Sequence, residues 1–144
     1  MTNSNGLYRQ TIYYPYSWGL HFARGSALDI AVEASSTYEV AGMGDVPHLD
    51  IAATIDSAGG TIAVFILNRD LKNARSAELA WEGGTPGKFE SAWVLTGDDL
   101  KAVNGFDAPE RVKPVAGAKP ATSSTSTKID VPPRSYSVYQ WRLS

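Results

Sequence analysis

His48-Leu49-Asp50-Ile51-Ala52-Ala53-Thr54-Ile55-Asp56-Ser57-Ala58-Gly59-Gly60-Thr61-Ile62-Ala63-Val64-Phe65-Ile66-Leu67 decides the fold. Its first half partly alternates apolar and polar residues, as a strand with one dry face does. Ser57-Ala58-Gly59-Gly60 is a tight turn. Residues 61–67 then form an unbroken apolar run. A run of that length, rich in β-branched residues, reads as a central strand covered on both faces. Two such segments flanking Gly59-Gly60 predict a β-hairpin, and the rest of the chain is read around it.

Downstream, residues 77–81 and 89–95 read as strands, separated by the turn Gly83-Gly84-Thr85-Pro86-Gly87. Thr96-Gly97-Asp98-Asp99 and Asn104-Gly105-Phe106-Asp107-Ala108-Pro109 read as loops. Residues 114–127, rich in Ala, Ser, Thr, Pro and Gly, read as a long surface loop with room for one short polar strand. Residues 128–131 and 136–143 close the chain as strands. Pro132-Pro133 parts them, because proline cannot donate to a ladder. Upstream, residues 27–33 and 36–40 read as strands, followed by a turn at Gly42-Met43-Gly44-Asp45. Residues 7–25 read as an aromatic helix. Pro15 suits its first turn, Gly25 suits the position just past its end, and Tyr14, Trp18 and Phe22 share one face. Tyr16 and Leu20 share another. One helix followed by eight to ten short strands predicts a mainly β, antiparallel sandwich with a jelly-roll-like plan.

A length of 144 residues fits one domain able to bury its own core. With 43% hydrophobic and 19% charged residues the chain is expected to be globular. Thirteen basic residues scattered among fifteen acidic ones form no stripe for nucleic acid. Cysteine is absent, which removes disulfides and thiol chemistry. No apolar stretch is long enough to span a membrane. Met1-Thr2-Asn3-Ser4-Asn5-Gly6 lacks the basic and apolar parts of a signal peptide, so a cytoplasmic setting is favoured.

Catalytic chemistry finds little support. Glycoside hydrolysis needs two carboxyl groups flanking the bond, yet Glu33, Glu39, Glu78, Glu82, Glu90 and Glu110 lie beside polar neighbours or at turns. Asp98-Asp99 is explained by turn chemistry. His21 and His48 are far apart in sequence. Asp45, Asp50 and Asp56 could offer oxygens to Ca²⁺ but lack the compact spacing of a calcium loop. There is no Gly-x-Ser-x-Gly elbow and no phosphate-binding glycine loop. No catalytic residue, metal or cofactor is expected. Trp81, Trp93 and Trp141 lie in apolar strands and read as core.

Several motifs, in order along nearly the whole chain, resemble the C-terminal part of glycoside hydrolase family 51 α-L-arabinofuranosidases. They are Arg9-Gln10-Thr11-Ile12-Tyr13-Tyr14-Pro15-Tyr16 with Ala23-Arg24-Gly25, then Val46-Pro47-His48-Leu49-Asp50-Ile51-Ala52-Ala53-Thr54, and Phe65-Ile66-Leu67-Asn68-Arg69. Leu95-Thr96-Gly97-Asp98, Asn104, Pro109-Glu110-Arg111-Val112 and Val131-Pro132-Pro133-Arg134-Ser135-Tyr136-Ser137-Val138 complete the set. His48 stands where an aromatic residue is expected.

The resemblance implies a retaining glycosidase built from a (β/α)8 barrel followed by a β-sandwich. Residues 1–25 would be the loop and last helix of the barrel, and residues 26–144 the sandwich. The catalytic glutamates would lie upstream, so this domain would be non-catalytic. Gln10 would sit at the barrel mouth and contact the arabinose. Tyr14, Trp18 and Phe22 would face the barrel or another partner. Expected partners are the barrel, a second copy bound through the helix, and an arabinose-containing saccharide. A carbohydrate-binding module, or the complementing chain of a split arabinofuranosidase, are the alternatives.

Overall fold

The computed structural model describes residues 1–4, 6–33, 36–82 and 86–144. The turn expected at Gly83-Gly84-Thr85 lies outside the described residues. In chain order the elements are β1 (Thr2–Asn3), β2 (Gly6–Leu7), α1 (Tyr13–Phe22), β3 (Ser26–Ala27), β4 (Thr37–Val40), β5 (Gly44–Pro47), β6 (Leu49–Asp56), β7 (Thr61–Asn68), β8 (Arg75–Ala80), β9 (Phe89–Leu95), β10 (Val115–Ala116), β11 (Ala121–Thr122), β12 (Ser126–Val131) and β13 (Ser135–Arg142).

A six-stranded sheet in the order β10-β9-β13-β7-β6-β3 faces a three-stranded sheet in the order β11-β12-β8. Every pairing is antiparallel. Two short ribbons, β1-β2 and β4-β5, stand apart. The β6-β7 hairpin forms as its sequence predicts, with Asp56 opposite Thr61. Its turn is held by the Gly59 amide donating to the Asp56 carboxylate at 2.9 Å, and Gly60 takes a positive φ of 65°.

Successive side chains of β7 point to opposite faces. Ile62, Val64 and Ile66 join Ile129, Val131, Tyr139 and Trp141 between the two sheets. Ala63 and Phe65 join Val138 on the other face, where Trp18 and Phe22 of α1 close over them. The apolar run at residues 61–67 thus has two separate covers, the second sheet on one side and the helix on the other. At ~1.5–3 kcal/mol for each large side chain withdrawn from water, both covers are needed for so apolar a strand to be stable.

Several sequence expectations change. The helix is shorter than residues 7–25: Leu7 belongs to a ribbon, and α1 begins at Tyr13 with Pro15 in its first turn. Residues 27–33 alternate like a strand, but among the described residues the ladder with β6 holds only Ser26 and Ala27, followed by the Leu28 amide donating to the Ala53 carbonyl at 2.9 Å. β5 starts at Gly44, inside the segment expected to be a turn. Trp93 is 40% exposed rather than core. It lies opposite Val138 in the large sheet.

Candidate functional site

The N-terminal segment is fixed from below before the helix begins. Asn104 is 5% exposed. Its Nδ2 donates to the carbonyls of Arg9 at 2.9 Å and Val112 at 2.8 Å, and its Oδ1 accepts from the Val112 amide at 2.7 Å. Tyr8 meets Phe106 edge to face. The Arg9 guanidinium lies 5.3 Å from the centre of the Tyr13 ring. Gln10 is exposed; its carbonyl accepts from the Tyr13 amide and its Nε2 reaches Met1 Sδ at 3.4 Å, a weak contact.

The helix then divides into two faces. Trp18, 7% exposed, stacks on Tyr136, and Phe22 is buried beside it. Tyr14 on the same stripe is half-buried. The stripe assigned from sequence to a barrel or partner is therefore directed, at Trp18 and Phe22, onto this chain's own sheet. The opposite face carries Ile12, Tyr13, Tyr16 and Leu20, exposed by 70, 45, 68 and 58%. Residues 12, 16 and 20 follow each other at i+4. They form an apolar strip that is left exposed among the described residues. Tyr16 and Leu20 were legible as one face; that theirs is the open one depends on which side the sheet takes.

The helix leaves along a tight path. Gly25 has φ 74°, and a Cβ there would lie 2.1 Å from the Ile55 carbonyl oxygen. Only glycine permits both the dihedral and the approach.

The carboxylates do not assemble into a pair. Glu33, Glu39, Glu78, Glu82, Glu90 and Glu110 are all exposed. Asp98 is held by Arg134 at 2.9 Å, Asp50 by Arg69 at 2.5 Å, and Asp99 lies 3.7 Å from Arg111. Asp56 serves its own turn. Among the described residues no group of three or more His, Asp or Glu could hold a metal, so Asp45, Asp50 and Asp56 do not converge. None of the described helices is long and apolar enough to cross a membrane.

The sequence reading passed over Asp70, the one buried acid among the described residues. It accepts from the amides of Lys72 and Asn73, both at 2.9 Å, and from the Arg75 guanidinium. The backbone amides first, then Arg75 and the Asn73 side chain, outweigh desolvation and hold its carboxyl far below the usual carboxylate range. Its oxygens are taken up by bonds within the chain. Asp70 is a tie: it joins the end of β7 to β8, and its carbonyl accepts from Arg134 in the β12-β13 turn.

The chain matches the family model of the α-L-arabinofuranosidase C-terminal domain over residues 1–135. It is 32% identical over 143 residues to an exo-α-(1→6)-L-arabinofuranosidase of Bifidobacterium longum, covering 94% of this chain and 26% of that protein. It is 33% identical over 115 residues to an intracellular exo-α-(1→5)-L-arabinofuranosidase of Streptomyces lividans, covering 79% of this chain and 17% of that protein. Among solved structures, a family 51 α-L-arabinofuranosidase from Bifidobacterium longum superposes with a TM-score of 0.87 at 27% identity, over 99% of this chain and 28% of that one. The chain therefore spans about a quarter of the length of such relatives.

Proposed function

The chain belongs to the α-L-arabinofuranosidase C-terminal domain family, and from that premise we propose that it is the non-catalytic sandwich that braces the catalytic barrel of an α-L-arabinofuranosidase. The observation that carries this reading is the open strip Ile12, Tyr13, Tyr16 and Leu20, on a helix whose other face is embedded in the sheet. An apolar strip of this kind calls for a protein surface. Residues 1–25 are the closing segment of the barrel and residues 26–144 the sandwich. The barrel covers the strip, and α1 is shared by both domains. Hydrolysis of terminal α-L-arabinofuranosyl groups then rests on barrel carboxylates, and Gln10 orients a sugar hydroxyl from the rim. A cytoplasmic setting follows the intracellular relative of Streptomyces lividans.

The test is to mix the chain with a separately produced barrel and to assay 4-nitrophenyl α-L-arabinofuranoside. The chain alone gives no turnover, and association with the barrel is seen by sedimentation. Tyr16→Lys with Leu20→Lys abolishes that association while the circular dichroism of the chain is unchanged. Turnover by the chain alone, or barrel binding indifferent to those substitutions, overturns the reading.

A further inference from the structure

The connection between β9 and β10, residues 96–114, is mostly exposed; Leu100, Val103 and Phe106 all face outward, and Asn104 is its one buried residue. Asn104 stands at the foot of a turn that Gly105 and Ala108 close with two backbone bonds, at 3.3 and 3.1 Å. Its side-chain amide lies against Val112 as a strand residue would, giving and taking one hydrogen bond with that backbone. A primary amide has two N–H groups. The pairing with Val112 uses one, and the other goes to the Arg9 carbonyl, 95 residues back along the chain. Aspartate has the same shape and keeps the acceptor for the Val112 amide, but it would set a charged oxygen against two carbonyl oxygens. The same loop touches the N-terminal segment a second time, where Phe106 meets Tyr8 edge to face at 4.8 Å.

The residue held by Asn104 is the one before Gln10. Gln10 is pinned again on its other side, where its carbonyl accepts from the Tyr13 amide at 2.9 Å. Its side chain, by contrast, is exposed, with only the 3.4 Å contact to Met1 Sδ. A fixed backbone beneath an uncommitted amide is what presenting that amide at a set point requires. We propose that Asn104 is a positioning residue for Gln10. Through the Arg9 carbonyl, the loop at residues 96–114 sets the place from which the Gln10 amide meets a saccharide hydroxyl. The sandwich then shapes sugar binding while supplying no group that touches the sugar. This role rests on the reading of Gln10 as a rim residue of the barrel. An Asn104 that only anchored the helix would act independently of Gln10.

The experiment is a double-substitution cycle in the complex of barrel and chain, read with 4-nitrophenyl α-L-arabinofuranoside. Gln10→Ala and Asn104→Asp are each expected to lower kcat/KM about tenfold, mainly by raising KM. In the Gln10→Ala background, Asn104→Asp is expected to add less than about twofold, because a residue acting through Gln10 has nothing left to place. In the chain alone, Asn104→Asp speeds exchange of the Tyr13 amide while the β7 amides keep their protection. Asn104→Ser, which carries no charge, replaces the aspartate variant in the cycle if β7 protection is lost. Losses that multiply in the double variant, or an unchanged KM in the Asn104 variant, overturn the proposal and leave the reading of Gln10 standing. An inactive complex, or a Gln10→Ala enzyme with unchanged constants, removes that reading and the role of Asn104 with it.

Discussion

The indole of Trp18 lies stacked on the ring of Tyr136, centroids 5.7 Å apart and planes within 18°. Phe65 lies near-parallel to the same ring at 6.4 Å. The helix is thus anchored by aromatic packing, and the Thr54 hydroxyl adds only a 3.5 Å contact to the Phe22 carbonyl. Trp18→Ala removes the largest contact of α1 and is expected to cost about 3–5 kcal/mol. Urea unfolding followed by circular dichroism checks it. A loss below about 1 kcal/mol would mean that the helix is not held by this stack.

Tyr16→Lys and Leu20→Lys change exposed positions on the same helix. Each is expected to shift the stability of the chain by no more than about 0.5 kcal/mol. The contrast with Trp18→Ala, read in the same urea experiment, separates the face that folds the chain from the face left for a partner.

Gly25→Ala meets both a positive φ and the Ile55 carbonyl. Backbone strain alone is of order 1–3 kcal/mol, and the clash adds to it. The melting temperature should fall, and the β3-β6 pairing should lose hydrogen-exchange protection first.

Asp70 gives a pH signature with a definite sign. Its carboxyl titrates lower in the folded chain than in the unfolded one. Its contribution is therefore present above the unfolded value of about 4 and is lost as pH falls below it toward the folded value. Asp70→Asn should lower stability near neutral pH and flatten the acid limb of the stability curve. An acid limb identical in the two proteins would show that Asp70 is not the tie described.

Asn104→Leu leaves the carbonyls of Arg9 and Val112 without their donor. A loss of about 1–3 kcal/mol is expected. Faster exchange at the Val112 amide is the local readout.

Much of this was legible in the sequence because it depends on local chemistry. Gly59-Gly60 marks its hairpin wherever it occurs, and an apolar run at residues 61–67 demands two dry faces. What covers each face is a matter of tertiary packing. The stripe Tyr14, Trp18, Phe22 was visible as a stripe, but nothing in its spacing says whether it meets the chain's own sheet or another molecule. Residues 27–33 show the limit from the other side: their alternation is that of a strand, but strand pairing needs a neighbour, and among the described residues β6 serves as one only as far as Leu28. Asp70 escaped notice, and Asn104 stood out only as a motif position with no role attached, because their importance comes from burial, which a loop sequence of Asp and Asn does not announce.

Phe65 and Ile66 are adjacent on β7, yet one belongs to the layer under the helix and the other to the interior of the sandwich. The peptide bond between them makes the two layers mechanically continuous. The junction near Gly25 is consequently a weld rather than a hinge: α1 cannot swing or fray away without uncovering the strand at the centre of the large sheet. Whatever grips the helix from outside also grips β7, and strain applied at Tyr16 or Leu20 passes into the sandwich as a rigid-body load.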